Sequence, residues 1–167
     1  MNAGILFYLA RRTSQCQKRL SRYAGYFDLS VSSVKICPKR GELRASMSRL
    51  IAALPVVFLV SEAQERRPSA ASALFEILRI PLDSDGEPKG VFRLEGKEKT
   101  GYLIESSNQA IVVLPDQPEE LLQMLPAACT RLNAKFNLNG AVPEEPELDY
   151  REIVDKSLGQ TPIVADC

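Results

Sequence analysis

The 167-residue chain contains no histidine and no tryptophan. Without histidine there is no imidazole base, no usual partner for a catalytic serine or cysteine, and no common nitrogen ligand for zinc, so Ser-His-Asp, Cys-His and HExxH chemistries are excluded. Cysteine is scarce and scattered. Cys16, Cys37, Cys129 and Cys167 form no CxxC pair, which argues against a zinc ribbon or a dithiol redox site and fits reduced thiols in a cytoplasmic protein. Net charge is also lacking: 21 basic and 21 acidic side chains cancel, so neither wholesale disorder nor a nucleic-acid coat is indicated. No stretch reaches the roughly 18 apolar residues of a membrane helix. The apolar start from Ala3 to Ala10 is too short for that and lacks a basic leader, which makes it a first buried strand rather than a signal peptide.

What is present is the periodicity of an α/β domain. Gly4 to Leu9 and Val56 to Val60 are continuous apolar runs, the pattern of strands covered on both faces. Between them Cys16, Leu20, Tyr23 and Phe27 recur at helical spacing. Val31 to Cys37 alternates as a half-exposed strand, and Leu43, Met47, Leu50, Ile51 and Leu54 mark a second helix. A third helix runs from Ala70 to Arg79 with Leu74, Phe75, Ile77 and Leu78 inward and Ser69 as its cap. The order β-α-β-α-β-α predicts a three-layer, mainly parallel sheet with helices on both faces.

The second half changes character. Three short strands, Val91 to Leu94, Tyr102 to Glu105 and Ile111 to Leu114, are separated by turn-rich segments and predict a small antiparallel hairpin insertion, with the last strand returning to the main sheet. Asp116 and Glu119 have capping-box spacing for a fourth helix, which Pro126 is expected to kink or restart. Residues 1–139 form the expected α/β domain. Residues 140–167 form an acidic C-terminal extension, in which Gly140 to Leu148 has the composition of an extended connector and Asp149 to Leu158 that of a short helix.

The segment Leu114-Pro115-Asp116-Gln117-Pro118-Glu119, ending a buried strand and opening an apolar helix, resembles the molybdopterin-binding (MoaB/Mog-like) domain in the form found in CinA proteins. There the strand ends in Leu-Pro-Gly-x-Pro. The likeness covers the layout from Ala3 to Phe136, and Leu114, Pro115, Pro118 and Glu119 match the motif. The resemblance implies a pterin or nucleotide site where the third strand and this strand turn into helices. Two departures stand in that place. The family's Gly-Gly-x-Gly loop is replaced by Ser61-Glu62-Ala63-Gln64-Glu65-Arg66-Arg67, and its motif glycine by Asp116, whose carboxylate repels a bound phosphate.

The resulting expectation is a non-catalytic or regulatory module that takes a small anionic ligand, a pterin or nucleotide phosphate, at the C-terminal edge of the sheet. Its candidate residues are Ser61, Arg66, Arg67, Ser69, Pro115, Asp116, Gln117, Pro118 and Glu119. One alternative is a metal-dependent nucleotide pyrophosphatase using Glu62, Glu65 and Asp116, since carboxylates alone hold magnesium or manganese; another is a structural partner subunit. Charge is unevenly spread. Ten basic residues from Arg11 to Arg49 face only Asp28 and Glu42, while from Pro118 onward nine acidic residues outnumber four basic ones. Self-contact of these halves, within the chain or in a homo-oligomer, is expected in preference to nucleic acid, because the basic helix lacks outward aromatics between its charges.

Overall fold

The computed structural model describes residues 1–143. Its elements are β1 (Asn2–Tyr8), α1 (Thr13–Gly25), β2 (Ser30–Cys37), α2 (Leu43–Ala53), β3 (Val56–Ser61), β4 (Ala63–Gln64), β5 (Arg67–Pro68), α3 (Ser69–Ile77), β6 (Phe92–Glu95), β7 (Thr100–Glu105), β8 (Ala110–Pro115) and α4 (Pro118–Phe136). The expected short helix from Asp149 to Leu158 lies outside the described residues.

Six strands form one sheet in the order β2-β1-β3-β8-β7-β6, and β4 pairs with β5 in a separate two-stranded ribbon. β2, β1, β3 and β8 run parallel; β7 and β6 are antiparallel and extend the sheet beyond β8. The hairpin expected as an insertion is thus the continuation of the main sheet. The apolar runs need no alternation because both sheet faces are covered. Ile5, Phe7, Phe58, Val60, Val112 and Leu114 face α1 and α4, while Leu6, Val57, Leu59 and Val113 face α2 and α3. This makes an α/β three-layer sandwich. At Gly4 the backbone backs onto α2, where a β-carbon would lie 2.7 Å from Leu54 Cδ1.

Three local expectations give way to packing. α4 runs unbroken through Pro126. A proline inside a helix costs about 3 kcal/mol, but Leu121, Leu125, Ala128, Cys129 and Leu132 are all buried from one stripe, and each fully buried leucine contributes about 1.5–3 kcal/mol. The stripe outweighs the missing N–H. α3 ends at Ile77, two residues early: Arg79 enters the left-handed region (φ 55°) and Ile80 N–H donates to Phe75 O, turning Leu78 outward to 39% exposure. On edge strand β2 the pairing register slips opposite Ala3 and Gly4, so that Val31 and Val34 both pack on the α1 side while Ile36 is 67% exposed.

Candidate functional site

Parallel register sets the rim. Tyr8 of β1 stands opposite Ser61 of β3, and Ser61 opposite Pro115 of β8, so the three strands release their loops side by side. Thr100, at the start of antiparallel β7, reaches the same edge, where its N–H donates to Arg66 O (2.7 Å). Sequence reasoning placed the segments after Val60 and Leu114 together, and the structure brings them together.

The loops are stitched by groups that sequence spacing assigns to other tasks. Ser61 is buried; its Oγ accepts Ala70 N–H (3.1 Å) and its carbonyl accepts Asp116 N–H (2.9 Å). Ser69, expected to cap α3, is instead the first helical residue, with its hydroxyl buried and without a hydrogen-bond partner among the described residues. Its N–H donates to Glu62 O (2.7 Å). Two of the first amides of α3 are therefore satisfied by the chain itself, and Ser61, from across the loop, does the capping.

Asp116 does not form a capping box with Glu119. The residue preceding α4 is Gln117, with no side-chain cap. The Asp116 carboxylate faces away from its own helix and accepts Arg11 N–H at 2.7 Å, while its carbonyl lies 3.2 Å from the Cys16 thiol, which donates to it. Glu119 is exposed, whereas Glu120 is buried and accepts N–H groups from Glu98 (3.0 Å) and Lys99 (3.2 Å) of the β6–β7 turn. Gly96 makes that embrace possible, since a β-carbon there would collide with Glu120 Oε2 and approach Met124 Cε to 2.9 Å. Sequence reasoning missed Glu120, and the glycine in the facing turn was the available signal.

The polar stretch after β3 folds into the β4–β5 ribbon, with Glu65 in the left-handed region (φ 58°). It parts the two arginines. Arg67 turns inward: its guanidinium sits 5.6 Å from the Tyr102 ring centre and 5.9 Å from that of Phe75, and pairs with Glu87 (3.0 Å) and Gly86 O (3.2 Å). Tyr102 Oη donates to the other Glu87 oxygen (3.1 Å). Arg66 points to solvent and takes part in no ion pair among the described residues. Between the ribbon and residues 85–87 lies a polar cleft of about 450 Å³, lined by Gln64, Glu65, Arg66, Arg67, Asp85, Gly86, Glu87, Arg93 and Thr100. Pro115, Asp116, Gln117, Pro118 and Glu119 share its rim but do not line it. A smaller, apolar groove of about 270 Å³ lies at the opposite rim, among Ile51, Leu54, Leu78, Ile80 and Ile104.

The carboxylates expected to share a divalent metal are not assembled. Glu62 pairs with Arg11 (3.5 Å), Glu65 is exposed and Asp116 serves the Arg11 amide. Among the described residues no three His, Cys, Asp or Glu side chains lie close enough to share an ion. The thiols at the core are poor nucleophiles. Burial, then the Asp116 charge, pushes Cys16 up to about 11, and burial pushes Cys129 up to about 12.

Neither family models nor curated protein sequences match this chain. Solved structures do. The CinA protein of unknown function from Thermoplasma acidophilum superposes with a TM-score of 0.62 at 11% identity, over 78% of this chain and 97% of that one. A protein assigned to molybdenum cofactor biosynthesis from Corynebacterium diphtheriae gives 0.55 at 15% identity, over 84% and 99%. MogA gives 0.54 at 12%, over 82% and 99%. The chain has the α/β fold of CinA-like and MoaB/Mog-like domains. At these identities the likeness is one of fold, and the residues of the rim are this chain's own. No helix among the described residues is long and apolar enough to cross a membrane.

Proposed function

We propose that this chain is a non-catalytic or regulatory binding module for a small anionic ligand of the pterin-phosphate or nucleotide-phosphate class, taken at the C-terminal rim in the cleft beside the β4–β5 ribbon. The observation that carries the reading is the contrast among its arginines. Arg67 and Arg93 both reach Glu87, at 3.0 and 3.8 Å, and their charge is already answered. Arg66, at the mouth of the same cleft, forms no ion pair among the described residues, and a guanidinium matches a phosphate bidentately. The fold shared with a protein of molybdenum cofactor biosynthesis supports the pterin class.

The grip differs from a glycine-rich phosphate cradle. No glycine stands between Ser61 and Pro68, and the Ser69 and Ala70 amides are already bonded, so the α3 terminus offers no nest for a pyrophosphate. Recognition then rests on side chains, Arg66 first, with Ser61, Ser69 and Asp116 supporting the rim rather than touching the ligand. A binding rather than catalytic role is supported by the commitment of Asp116 and Glu62 to the β1–α1 loop and by the protonated core thiols.

Thermal unfolding of the full chain with a pterin, AMP, ADP or inorganic phosphate tests this. A ligand at a hundred times its Kd stabilises by about 2.7 kcal/mol, which raises the Tm of a domain this size by roughly 5–10 °C. The reading expects such a rise for at least one of these anions and its loss in Arg66→Ala. No rise with any of them, or an equal rise in the variant, refutes it.

A further inference from the structure

Helix α1 carries positive charge for which its own sequence supplies no counter-charge: TSQCQKRLSRYAG contains neither aspartate nor glutamate. Arg19, Arg22, Tyr23 and Tyr26 recur at i, i+3, i+4 and i+7 and, with Leu122 of α4, line a shallow cleft of about 270 Å³. Lys18, Arg19 and Arg22 are exposed, and none of them forms an ion pair among the described residues. On the neighbouring α4 the acids are Glu119, at the rim end beside Cys16, and Glu120, which is turned to the β6–β7 hairpin. The aromatic part of the face is partly open. Tyr26 is 44% exposed, and the Tyr23 hydroxyl is enclosed without a hydrogen-bond partner among the described residues.

The chain returns to this face where the described residues end. The Asn133 side chain and the Gly140 backbone exchange two hydrogen bonds, both 3.2 Å. Gly140 presses on Phe27, where a β-carbon would come within 2.9 Å of Phe27 Cβ, and Phe27 stacks on Tyr23 with ring centres 5.9 Å apart. The sequence that follows, EEPELDYREIVD, carries Glu144, Glu145, Glu147, Asp149, Glu152 and Asp155 against the single cation Arg151. The rise from Arg19 to Phe27 is about 12 Å at helical spacing, a distance four extended residues span at about 3.3 Å each. The acidic run therefore begins within reach of arginines that have no ion pair among the described residues.

We infer that the acidic segment 144–155 docks in cis on the basic, aromatic face of α1, placing carboxylates on Lys18, Arg19 and Arg22 beside the Tyr23–Tyr26 pair. The inference is independent of the ligand rim. It accounts for a neutral chain that keeps its opposite charges at opposite ends of the sequence, and for an α1 face that combines guanidinium groups with half-open tyrosine rings.

Two measurements on the full chain test it. Zero-length carbodiimide coupling, mapped by peptide mass spectrometry on an equal mixture of ¹⁵N-labelled and unlabelled protein, should join Lys18 to Glu144, Glu145 or Glu147 in isotopically pure pairs. Hydrogen exchange of 144–155 should accelerate by roughly three- to tenfold in Arg19→Glu/Arg22→Glu, and return toward the original rate when Glu144→Arg/Glu145→Arg is added. Mixed-isotope links, which place the segment on a second copy, would overturn the cis docking. So would the absence of Lys18 links, or equal exchange in the original and charge-reversed chains while their melting curves coincide.

Discussion

Replacing Asp116 separates two roles that one carboxylate can play. Asp116 is 6% exposed and its Oδ2 accepts Arg11 N–H at 2.7 Å. That bond tethers the β1–α1 loop, whose Leu9 (φ 49°) and Arg12 (φ 39°) both hold the left-handed region, a conformation that costs about 1 kcal/mol or more per residue with a side chain. A hydrogen bond to a charged group contributes about 1.5–3 kcal/mol, and the Arg11 amide left behind in a partly buried place costs more. Asp116→Ala should therefore lose about 2–4 kcal/mol, and Asp116→Asn, which keeps a neutral acceptor, about 1 kcal/mol. The chain has no tryptophan, so urea unfolding is followed by circular dichroism or tyrosine emission. Residue-level hydrogen exchange then tells the roles apart. A tether predicts faster exchange at Arg11, whereas a cap predicts it at Glu119 and Glu120. A loss below about 0.5 kcal/mol, or acceleration confined to the start of α4, would refute the tether.

Gly96→Ala should lower stability by about 2 kcal/mol, because its β-carbon meets Glu120 Oε2 and lies 2.9 Å from both Lys99 O and Met124 Cε. Combined with Glu120→Ala, measured urea midpoints should show less than the sum of the two losses, since both break one turn-to-helix contact. The buried thiols bind protons more tightly in the folded chain than the ordinary value of 9.0 allows, with Cys16 at about 11 and Cys129 at about 12. Their contribution is complete below pH 9 and is lost as pH rises through 11 to 12, so Tm should fall across that window, and less steeply in Cys129→Ala than in the original chain. Because the Asp116 charge is part of what raises Cys16, Asp116→Asn should lower that thiol's pKa, read from the pH dependence of alkylation.

Much of the frame was legible because it depends on pattern over whole segments. Continuous apolar runs at Ile5–Tyr8, Val56–Val60 and Ile111–Leu114 can be satisfied only by strands covered on both faces. The helical stretches on either side of Val31 to Cys37 make β1, β2 and β3 parallel. From that order alone the turn after β3 and the turn after β8 share an edge, and Ser61 does stand against Pro115. What escaped was decided by partners distant in sequence. Asp116 and Glu119 have the spacing of a capping box, but the Arg11 amide, from a loop more than a hundred residues earlier, takes the carboxylate. Ser69 is placed to cap α3, but the helix begins at Ser69 itself, whose N–H is held by Glu62 O, and it is Ser61 that accepts the Ala70 N–H. The β4–β5 ribbon has only two residues per strand, too few for an alternation to register. Arg66 and Arg67 are adjacent in sequence and part because Arg66 belongs to the turn of the ribbon while Arg67 opens β5, which sends Arg67 to Glu87 and leaves Arg66 at the mouth of the cleft.

The central claim is that ligand is taken at the rim where β3 and β8 end and β7 begins, with Arg66 as its anchor. A ¹⁵N-resolved NMR titration of the full chain with a pterin or nucleotide phosphate maps this directly. The account predicts saturable shifts at the amides of Gln64 to Arg67, Asp85 to Glu87 and Thr100, abolished by Arg66→Ala. Shifts centred on Ile51, Leu54, Ile80 and Ile104, the apolar groove of the opposite rim, would contradict it.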